Sequence, residues 1–371
     1  DSNMVSSSDK KVLLIYTGGR IGMEETPNGY APKKGYLEIQ LKKILDLHPK
    51  HKNKLSQHHI IEFDPLLDSS NMTPKDWNKM IKMIKDNYDE YKAFIVIHGT
   101  DTMAYSASAL SFAFQNLSKP IIFTGSQIPL QRIRNDGINN LISALTLAST
   151  SNIQEVVIVF GDSILRGNRS VKISGNKIHA FGSPNFDDIG SFGYLYNPVI
   201  NKSLIERTKG SLNNNTFGSL DVQYYNTQDE VFTFFLSPGT KFKPLRDVIN
   251  NNPNTKAVII RTFGIGDGPT SNKEFIELLE FLNNNNIIVV NISQCIEGRV
   301  DQGDYAVGNI LKKHKVISGL DMTFEAAYCK LLYLLNLYNH NNTVIRQKLN
   351  ENLVGEVSND LLVVDVEPSF I

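Results

Sequence analysis

Two short turns of this chain carry side chains that could do chemistry. HGTDT at residues 98–102 places the hydroxyl of Thr100 next to the carboxylate of Asp101, and TGGR at residues 17–20 ends in a guanidinium. A hydroxyl is a poor nucleophile at its own pKa, so it must lie beside a proton acceptor. Lys172 is available on a third segment, and a desolvated lysine near a second cation becomes a base because its pKa falls. Hydrolysis of an amide needs a nucleophile and a base to activate it, and a threonine hydroxyl and a lysine can fill these two roles.

The same residues also have a structural interpretation. Thr100 could cap the helix that follows it, and Asp101 could belong to the first turn of that helix. The segment DSS at residues 68–70 could be a turn before the helix that Thr73 begins. From the residues alone, these alternatives stay open.

Both turns follow apolar runs and precede helical patterns. Ala93–Ile97 leads into the first turn, and Leu14–Tyr16 leads into the second. Open α/β sheets bind their ligands where a buried strand delivers polar residues into a strand-to-helix turn. The sequence therefore predicts a ligand site at the carboxyl ends of two strands.

Apolar runs alternate with amphipathic patterns along most of the chain, which is typical of βαβ units and a parallel sheet. The predicted strands are Val12–Tyr16, Ile60–Phe63, Phe94–His98, Ile121–Thr124, Val156–Phe160, Val231–Leu236, Ala257–Arg261 and Ile287–Ile292. The predicted helices are Leu37–Leu47, Trp77–Tyr88 (capped by Thr73), Asn135–Ala148, Asn272–Leu282 and Phe324–Leu337. Residues 201–228 show little periodicity. We predict an N-terminal domain at residues 1–205, a linker at 206–228 and a smaller C-terminal α/β domain at 229–371.

The composition excludes several classes of protein. The 38 basic and 38 acidic residues balance, so no net field attracts nucleic acid or an anionic membrane. Two cysteines in 371 residues favour a reducing compartment over a disulfide framework. No apolar stretch approaches the roughly 20 residues that span a bilayer, and the polar start lacks a hydrophobic signal region. We therefore expect a cytoplasmic protein that binds neither membranes nor nucleic acid.

Cofactor chemistry is not indicated by any motif. The eight histidines form no zinc or iron spacing with cysteine or aspartate. Gly18-Gly19 is too short for a phosphate-binding loop, and the sequence contains no GxxxxGK[ST] and no GxSxG. We expect no metal and no cofactor.

The two turns, together with further segments in the same order, resemble the L-asparaginase family, in particular its type I (cytoplasmic) branch. The matching segments are Gly29–Leu37, Asp64–Trp77, His98–Phe112, Thr124–Pro129, Arg166–Lys172, Arg261–Gly268, Ser293–Val300 and Gly319–Ala326. The resemblance implies a two-domain α/β asparaginase fold and hydrolysis of L-asparagine to L-aspartate and ammonia by a threonine nucleophile. It also implies a homodimer or homotetramer whose pockets form between domains of two subunits.

The resemblance further implies two groups of site residues. The catalytic group is Arg20 (at the position of the family's nucleophilic threonine), Tyr30, Thr100, Asp101 and Lys172. The substrate-binding group is Asp68, Ser69, Ser70, Thr100, Asp101 and Asp267. In the family, the lysine eases deprotonation of the threonine, the aspartate beside it binds the α-ammonium group, and the DSS segment holds the α-carboxylate. Tyr30 matches a mobile-loop tyrosine, and its surroundings predict a flap rather than a strand or helix.

Three departures from the family pattern matter. Arg20 replaces the nucleophilic hydroxyl with a permanent cation, which could bridge to Asp101 or hold a carboxylate. Asp267 stands where the family commonly has asparagine, and its opposite charge could compensate for Arg20. An effector site for asparagine is matched at Arg261 and Cys295, but Val171 replaces a threonine there, so we expect weak regulation.

Three functions are consistent with these features. The first is an L-asparaginase impaired by Arg20, and the second is a non-catalytic protein of the same fold that binds asparagine or aspartate. The third is the asparaginase-like subunit of a tRNA-dependent amidotransferase. The third is disfavoured because such subunits carry an additional N-terminal domain, and because the chain has no basic excess.

Overall fold

The computed structural model describes residues 9–214, 218–339 and 341–362, which divide into two α/β units. The N-terminal unit covers Asp1–Arg207 and Asn213–Tyr224, and the C-terminal unit covers Thr208–Leu212 and Tyr225–Ile371. The predicted fold class, a larger and mostly parallel N-terminal sheet with a smaller C-terminal α/β domain, is confirmed.

The N-terminal unit has its elements in βαβ order. Its strands are β1 (Lys11–Gly18), β2 (Met23–Thr26), β3 (Gly29–Pro32), β4 (His58–Leu67), β5 (Tyr91–Ile97), β6 (Phe114–Gln115), β7 (Ile121–Thr124), β8 (Val156–Phe160), β9 (Ser163–Arg166), β10 (Val171–Lys172), β11 (Phe181–Gly182), β12 (Gly190–Ser191), β13 (Val199–Ile200) and β14 (Asp221–Val222). The helices that begin in it are α1 (Tyr36–Asp46), α2 (Pro49–Lys52), α3 (Pro74–Asp86), α4 (Met103–Ala113), α5 (Gly137–Thr150) and α6 (Lys202–Thr208).

Eight of the described strands form the main sheet, in the order β13-β12-β9-β8-β7-β5-β1-β4. Strands β4, β1, β5, β7 and β8 run parallel, and β9, β12 and β13 add an antiparallel edge. The central strands are buried along almost their whole length. Because helices cover both faces of a parallel sheet, its strands read as continuous apolar runs, which explains why they could be predicted.

The strand order reverses at β1. The chain passes from β1 to β4 on one side of it and then returns to β5 on the other. Ligands of open α/β sheets bind in the crevice outside the carboxyl ends of the strands at such a reversal. The turns at residues 17–20 and 98–102 lie at this point.

Helix α3 begins as its sequence predicts. Thr73 precedes it, Pro74 is its first residue, and the carboxylate of Asp76 accepts a hydrogen bond from the backbone N–H of Thr73 at 2.8 Å. This contact satisfies one of the amide groups that a helix start leaves open. The apolar face of α3, which includes Trp77, is buried.

The segment around Tyr30 differs from its prediction. Strands β2 and β3 pair antiparallel as a hairpin, with Glu25 opposite Tyr30, so the expectation of a flap without strands is wrong. Pro27 lies in the connecting turn, and Gly29 follows it with φ 101°. Turn residues therefore close a hairpin here instead of interrupting regular structure.

The C-terminal unit repeats the same architecture on a smaller scale. Its described strands are β15 (Glu230–Phe235), β16 (Thr255–Thr262), β17 (Ile288–Ser293) and β18 (Ile317–Ser318), which are parallel and lie in that order. Its helices are α7 (Lys243–Asn250), α8 (Lys273–Asn284), α9 (Ala306–Lys313), α10 (Phe324–Leu337) and α11 (Asn342–Leu349).

The segment predicted as a linker, residues 206–228, contributes to both units. It contains the end of α6 and strand β14, which pairs with β6. The predicted domain boundaries stay predictions. Among the described residues, no helix is long and apolar enough to cross a membrane.

Candidate active site

The turn after β1 is pressed against its neighbours so closely that it requires glycine. A Cβ on Gly18 would lie 2.0 Å from the carbonyl oxygen of Leu67 at the end of β4, and one on Gly19 would lie 2.7 Å from the backbone nitrogen of Gly99. Both glycines also have positive φ angles, 137° and 97°, which residues with a Cβ rarely adopt. The residue that follows Gly19, Arg20, is thereby placed beside the turn that follows β5.

The loop after β4 joins the same point. A Cβ on Gly99 would lie 2.7 Å from the side chain of Ser69, and the hydroxyl of Thr102 donates to the carbonyl oxygen of Ser69 at 2.7 Å. Ser69 is buried, whereas Asp68 and Ser70 are exposed. The carboxyl ends of β1, β4 and β5 therefore converge on one site, as the reversal of strand order requires.

Thr100, Asp101 and Lys172 form a hydrogen-bonded cluster. The ammonium group of Lys172, on β10, donates to Thr100 Oγ1 at 2.8 Å and to Asp101 Oδ1 at 2.7 Å. Thr100 is buried, while the side chain of Asp101 is 52% exposed. A hydroxyl bonded to an amine can transfer its proton when the amine is neutral, and its alkoxide is stabilised when the amine is charged. The cluster can therefore activate a nucleophile.

Gln127 is a site residue that the sequence analysis missed. It is buried, and its side-chain oxygen accepts the hydrogen bond of the Thr100 hydroxyl at 3.0 Å. Its amide nitrogen donates to the carbonyl oxygens of Ser174 and Lys177 at 3.2 and 3.1 Å. These two contacts fix the orientation of the amide and tie the loop after β10 to the cluster. The only available signal was its place in the segment Thr124–Pro129.

Arg20 lies at the rim of the same site. Its side chain is exposed, and its guanidinium donates to the backbone carbonyl of Gln127 at 3.3 Å. Among the described residues it forms no ion pair; the carboxylate of Asp101 is bonded to Lys172 instead. The suggested bridge between Arg20 and Asp101 is therefore not formed.

A buried hydrogen-bond network supports the turn at residues 98–102. His98 is fully buried, with Nδ1 2.6 Å from the carbonyl oxygen of Gly99 and Nε2 2.8 Å from the hydroxyl of Ser106, which accepts from the indole N–H of Trp77 at 3.1 Å. Since a carbonyl can only accept, Nδ1 carries the proton and Nε2 accepts from Ser106. Burial lowers the pKa of His98 to about 4, so the ring is neutral near pH 7.

Helix α4 settles one structural alternative. It begins at Met103, with Thr102 as its N-cap residue. The hydroxyl of Thr100 is bonded to Lys172 and Gln127 and caps nothing. The interpretation of Thr100 as a helix cap is therefore wrong.

The comparisons with known proteins identify the family of the chain. Residues 11–201 match the family model "Asparaginase, N-terminal", and residues 230–348 match "Glutaminase/Asparaginase C-terminal domain". The chain belongs to the asparaginase family. The predicted resemblance to this family is thus confirmed.

Individual relatives extend over nearly the whole chain. It is 39% identical over 351 residues to L-asparaginase 1 of Escherichia coli (strain K12). The alignment covers 95% of this chain and 99% of that protein. It is 32% identical to the 60 kDa lysophospholipase of Mus musculus, over 96% of this chain and 64% of that protein. The crystal structure of L-asparaginase I from Vibrio cholerae superimposes with a TM-score of 0.82 at 38% identity, over 94% and 99% of the two chains.

Two predicted residues of this asparaginase-family chain have local partners other than the cluster. The hydroxyl of Tyr30 accepts from Nε of Arg132 at 3.2 Å, and the guanidinium lies 5.1 Å from the centre of the tyrosine ring. Asp68 accepts from the backbone N–H of Ser70 at 3.2 Å and begins a 3-10 turn. The turn interpretation of residues 68–70 is therefore correct as to structure. Their part in substrate binding stays a prediction.

The remaining predicted residues are divided between the units. Asp267, Arg261 and Cys295 belong to the C-terminal unit, and Val171 lies on β10 of the N-terminal unit. Arg261 lies over the rings of Phe235 and Phe324, at 5.6 and 4.9 Å. The roles of these residues stay predictions.

Within residues 9–214, 218–339 and 341–362, no group of three or more His, Cys, Asp or Glu side chains could hold a metal ion.

Proposed function

We propose that this chain is an L-asparagine amidohydrolase whose turnover is limited by Arg20. The observation that carries the proposal is the cluster in which Lys172 bonds both Thr100 and Asp101. The family and the relatives named L-asparaginase support the same substrate.

Each member of the cluster has a definite task in this reaction. Lys172, when neutral, takes the proton of an attacking hydroxyl, and the ammonium that results stabilises the negative charge that develops. Asp101 presents a half-exposed carboxylate to the α-ammonium group of the substrate. Ser69 and Ser70, at the end of β4, provide hydroxyl and backbone donors for the α-carboxylate. Acyl-enzyme and direct-water routes are both compatible with this arrangement.

Arg20 limits the reaction for two reasons. It lacks the hydroxyl that the family carries at this position, and its guanidinium cannot give up its proton near neutral pH. The cluster of Thr100, Asp101 and Lys172 is present. The site therefore lacks only the hydroxyl at position 20.

The test is release of ammonia from L-asparagine by three proteins. We expect very low turnover by the unmodified chain, an increase of roughly 10³-fold or more in Arg20→Thr, and loss of that gain in Arg20→Thr/Thr100→Val, because removal of a nucleophile costs several orders of magnitude. Robust turnover by the unmodified chain would contradict the assignment of Arg20. It would mean that Thr100 attacks alone.

The alternative function is a non-catalytic protein that binds asparagine or aspartate. It would be supported if Arg20→Thr shows no turnover while either amino acid still raises the melting temperature of the unmodified chain. The observation that favours this alternative is the exposed guanidinium of Arg20 at the rim of the site, because it can bind an anion.

Assembly as a homodimer or homotetramer is part of the proposal, as the family resemblance implies. The apolar helix α10 gives no independent argument for it, because Leu331, Leu332, Leu334 and Leu335 are already buried within a single chain. Light scattering at micromolar concentration should give at least the mass of a dimer; the mass of a monomer would contradict this part.

A further inference from the structure

We infer that Arg20 makes this site select a dicarboxylic amino acid, with L-aspartate bound more tightly than L-asparagine. The inference rests on the proposed function only in placing the side-chain end of the ligand beside Thr100. It concerns the ligand that the site prefers, whereas the proposed function concerns the reaction that it catalyses.

The first observation is the unused capacity of the guanidinium. A guanidinium has five N–H donors in a planar fork, and among the described residues Arg20 uses one of them, for a 3.3 Å contact to a backbone carbonyl. The side chain is exposed, so the remaining donors are open to a ligand in the site. A guanidinium with free parallel donors matches a carboxylate in a bidentate arrangement.

The second observation is the balance of charge around Thr100. The ammonium of Lys172 is matched by the carboxylate of Asp101 at 2.7 Å. The carboxylate of Asp136, which approaches the same glutamine as Arg20 does, accepts the backbone N–H groups of Gln127 and Ile128 at 2.9 and 3.0 Å. Neither carboxylate forms an ion pair with Arg20 among the described residues, so the guanidinium itself has no carboxylate within ion-pair distance there.

The third observation is how Arg20 is held near the hydroxyl of Thr100. The backbone before Arg20 touches the backbone before Thr100, because a Cβ on Gly19 would lie 2.7 Å from the nitrogen of Gly99. Arg20 and Thr100 are also hydrogen-bonded to the same residue, Gln127, through its backbone carbonyl and its side-chain oxygen. A ligand group that reaches Thr100 therefore comes within the field of the guanidinium.

The chemistry of the two ligands decides the preference. Aspartate and asparagine have nearly the same size, but the carboxamide presents an NH₂ donor where the carboxylate presents a second acceptor. The donors of Arg20 and Lys172 face two acceptor oxygens and a negative charge in aspartate, but one acceptor oxygen and a donating, uncharged NH₂ group in asparagine. Charge-assisted bonds are roughly twice as strong as neutral ones, so we expect aspartate to bind at least tenfold more tightly. In the proposed reaction, the product would then compete with the substrate.

The experiment is isothermal titration calorimetry of the full chain with L-aspartate and with L-asparagine, and ammonia is assayed in parallel. Two matched variants are titrated in the same way: Arg20→Gln removes the charge and keeps a side chain that can donate, and Arg20→Lys keeps the charge and removes the fork. We expect a preference for aspartate of at least tenfold in the unmodified chain, an intermediate preference in Arg20→Lys, and less than about threefold in Arg20→Gln. Circular dichroism checks that each variant is folded.

Every outcome bears on the inference. Equal binding of the two amino acids by the unmodified chain, or a preference that persists in Arg20→Gln, overturns it and leaves the proposed reaction untouched. Binding of neither amino acid overturns both the inference and the proposed function. If Arg20→Gln does not fold, the comparison of Arg20→Lys with the unmodified chain decides, because loss of the fork alone must weaken aspartate more than asparagine.

Discussion

Two lysine–carboxylate pairs of nearly equal length have opposite surroundings in this chain. Lys172 and Asp101 are 2.7 Å apart, with side chains 14% and 52% exposed, and Lys330 and Glu356 are 2.8 Å apart, with both side chains fully buried. Distance alone therefore says little about what an ion pair does. Burial, and the partners that use the remaining hydrogen-bonding capacity, decide it.

The buried pair, Lys330 and Glu356, uses its remaining hydrogen-bonding capacity for contacts within the protein. Lys330, on α10, also donates to the carbonyl oxygens of Leu349 and Glu351, at 2.9 and 2.6 Å. Glu356 accepts from the backbone N–H groups of Leu353 and Val354, each at 2.8 Å. The pair thus fastens the chain after α11 to α10. Burial lowers the pKa of Lys330, and the nearby carboxylate of Glu356 opposes this shift.

The more exposed pair, Lys172 and Asp101, leaves part of its hydrogen-bonding capacity available to a ligand. The carboxylate of Asp101 is half open to solvent, and the hydroxyl of Thr100 shares the ammonium of Lys172. A group that must bind and release a substrate cannot be sealed in the way that Glu356 is. We therefore expect the two lysines to affect different measurements when each is replaced by methionine, which has a similar length and no charge.

The largest effect is expected on turnover at Lys172. In the Arg20→Thr background, Lys172→Met should lower kcat for L-asparagine by roughly 10²- to 10⁴-fold, because general-base assistance contributes that much. The free energy of unfolding should change by less than about 1 kcal/mol, because the partner carboxylate remains solvated. Ammonia release and urea denaturation measure the two quantities. A large loss of stability with unchanged kcat would reverse the roles assigned to the pairs.

The next effect is expected on stability at Lys330. Lys330→Met should lower the free energy of unfolding by about 3–5 kcal/mol, because it leaves the carboxylate of Glu356 buried without its counter-charge. In the Arg20→Thr background, kcat of the folded protein should not change. The double variant Lys330→Met/Glu356→Gln should recover part of the loss, since no uncompensated charge remains. Equal stability of the single and double variants would show that the pair does not act as a unit.

Acid should reveal a different buried titratable group, His98, whose ring nitrogens contact a backbone carbonyl and a hydroxyl. The pKa of His98 is lowered from 6.5 to about 4 by burial, so the unfolded chain binds this proton more readily than the folded one. Its contribution to stability is complete above pH 6.5 and is lost as the pH falls toward 4, by roughly 2–3 kcal/mol at pH 4.5. Urea midpoints between pH 7.5 and 4.5 should fall less steeply in His98→Asn. Parallel pH profiles of the two proteins would contradict this.

The sequence predicted those features that depend on local pattern. Three elements have their predicted bounds, namely strands β7 and β8 and helix α10. A buried strand or a capped helix can be recognised because the residues that mark it are neighbours in the sequence. The strands of the antiparallel edge, such as β12 and β13, have two residues each, which is too short for any periodicity to show. The β2–β3 hairpin was missed because its turn residues were taken for an irregular flap.

The candidate site was predictable in its residue types but not in its connections. Thr100 and Lys172 are separated by 72 positions, and only the family resemblance suggested that they meet. Gln127 was missed because a glutamine in a loop has no distinctive pattern, and its place in the site is visible only from four contacts with other segments. The buried pair of Lys330 and Glu356 was missed for the same reason, since charged residues are expected at the surface.

The smallest effect is expected at a third pair, which isolates burial as the deciding variable. Lys82 and Asp86 lie 2.7 Å apart on the surface of α3, with side chains 68% and 52% exposed. Their distance equals that of the pair at Lys172, but water screens both charges, and fixing the two exposed side chains in one geometry costs entropy. Lys82→Met should therefore leave the urea midpoint unchanged within error, and 0.5 M salt should not alter that result. A loss of stability comparable to that of Lys330→Met would mean that bond length, rather than burial and the remaining partners, sets the contribution of these pairs.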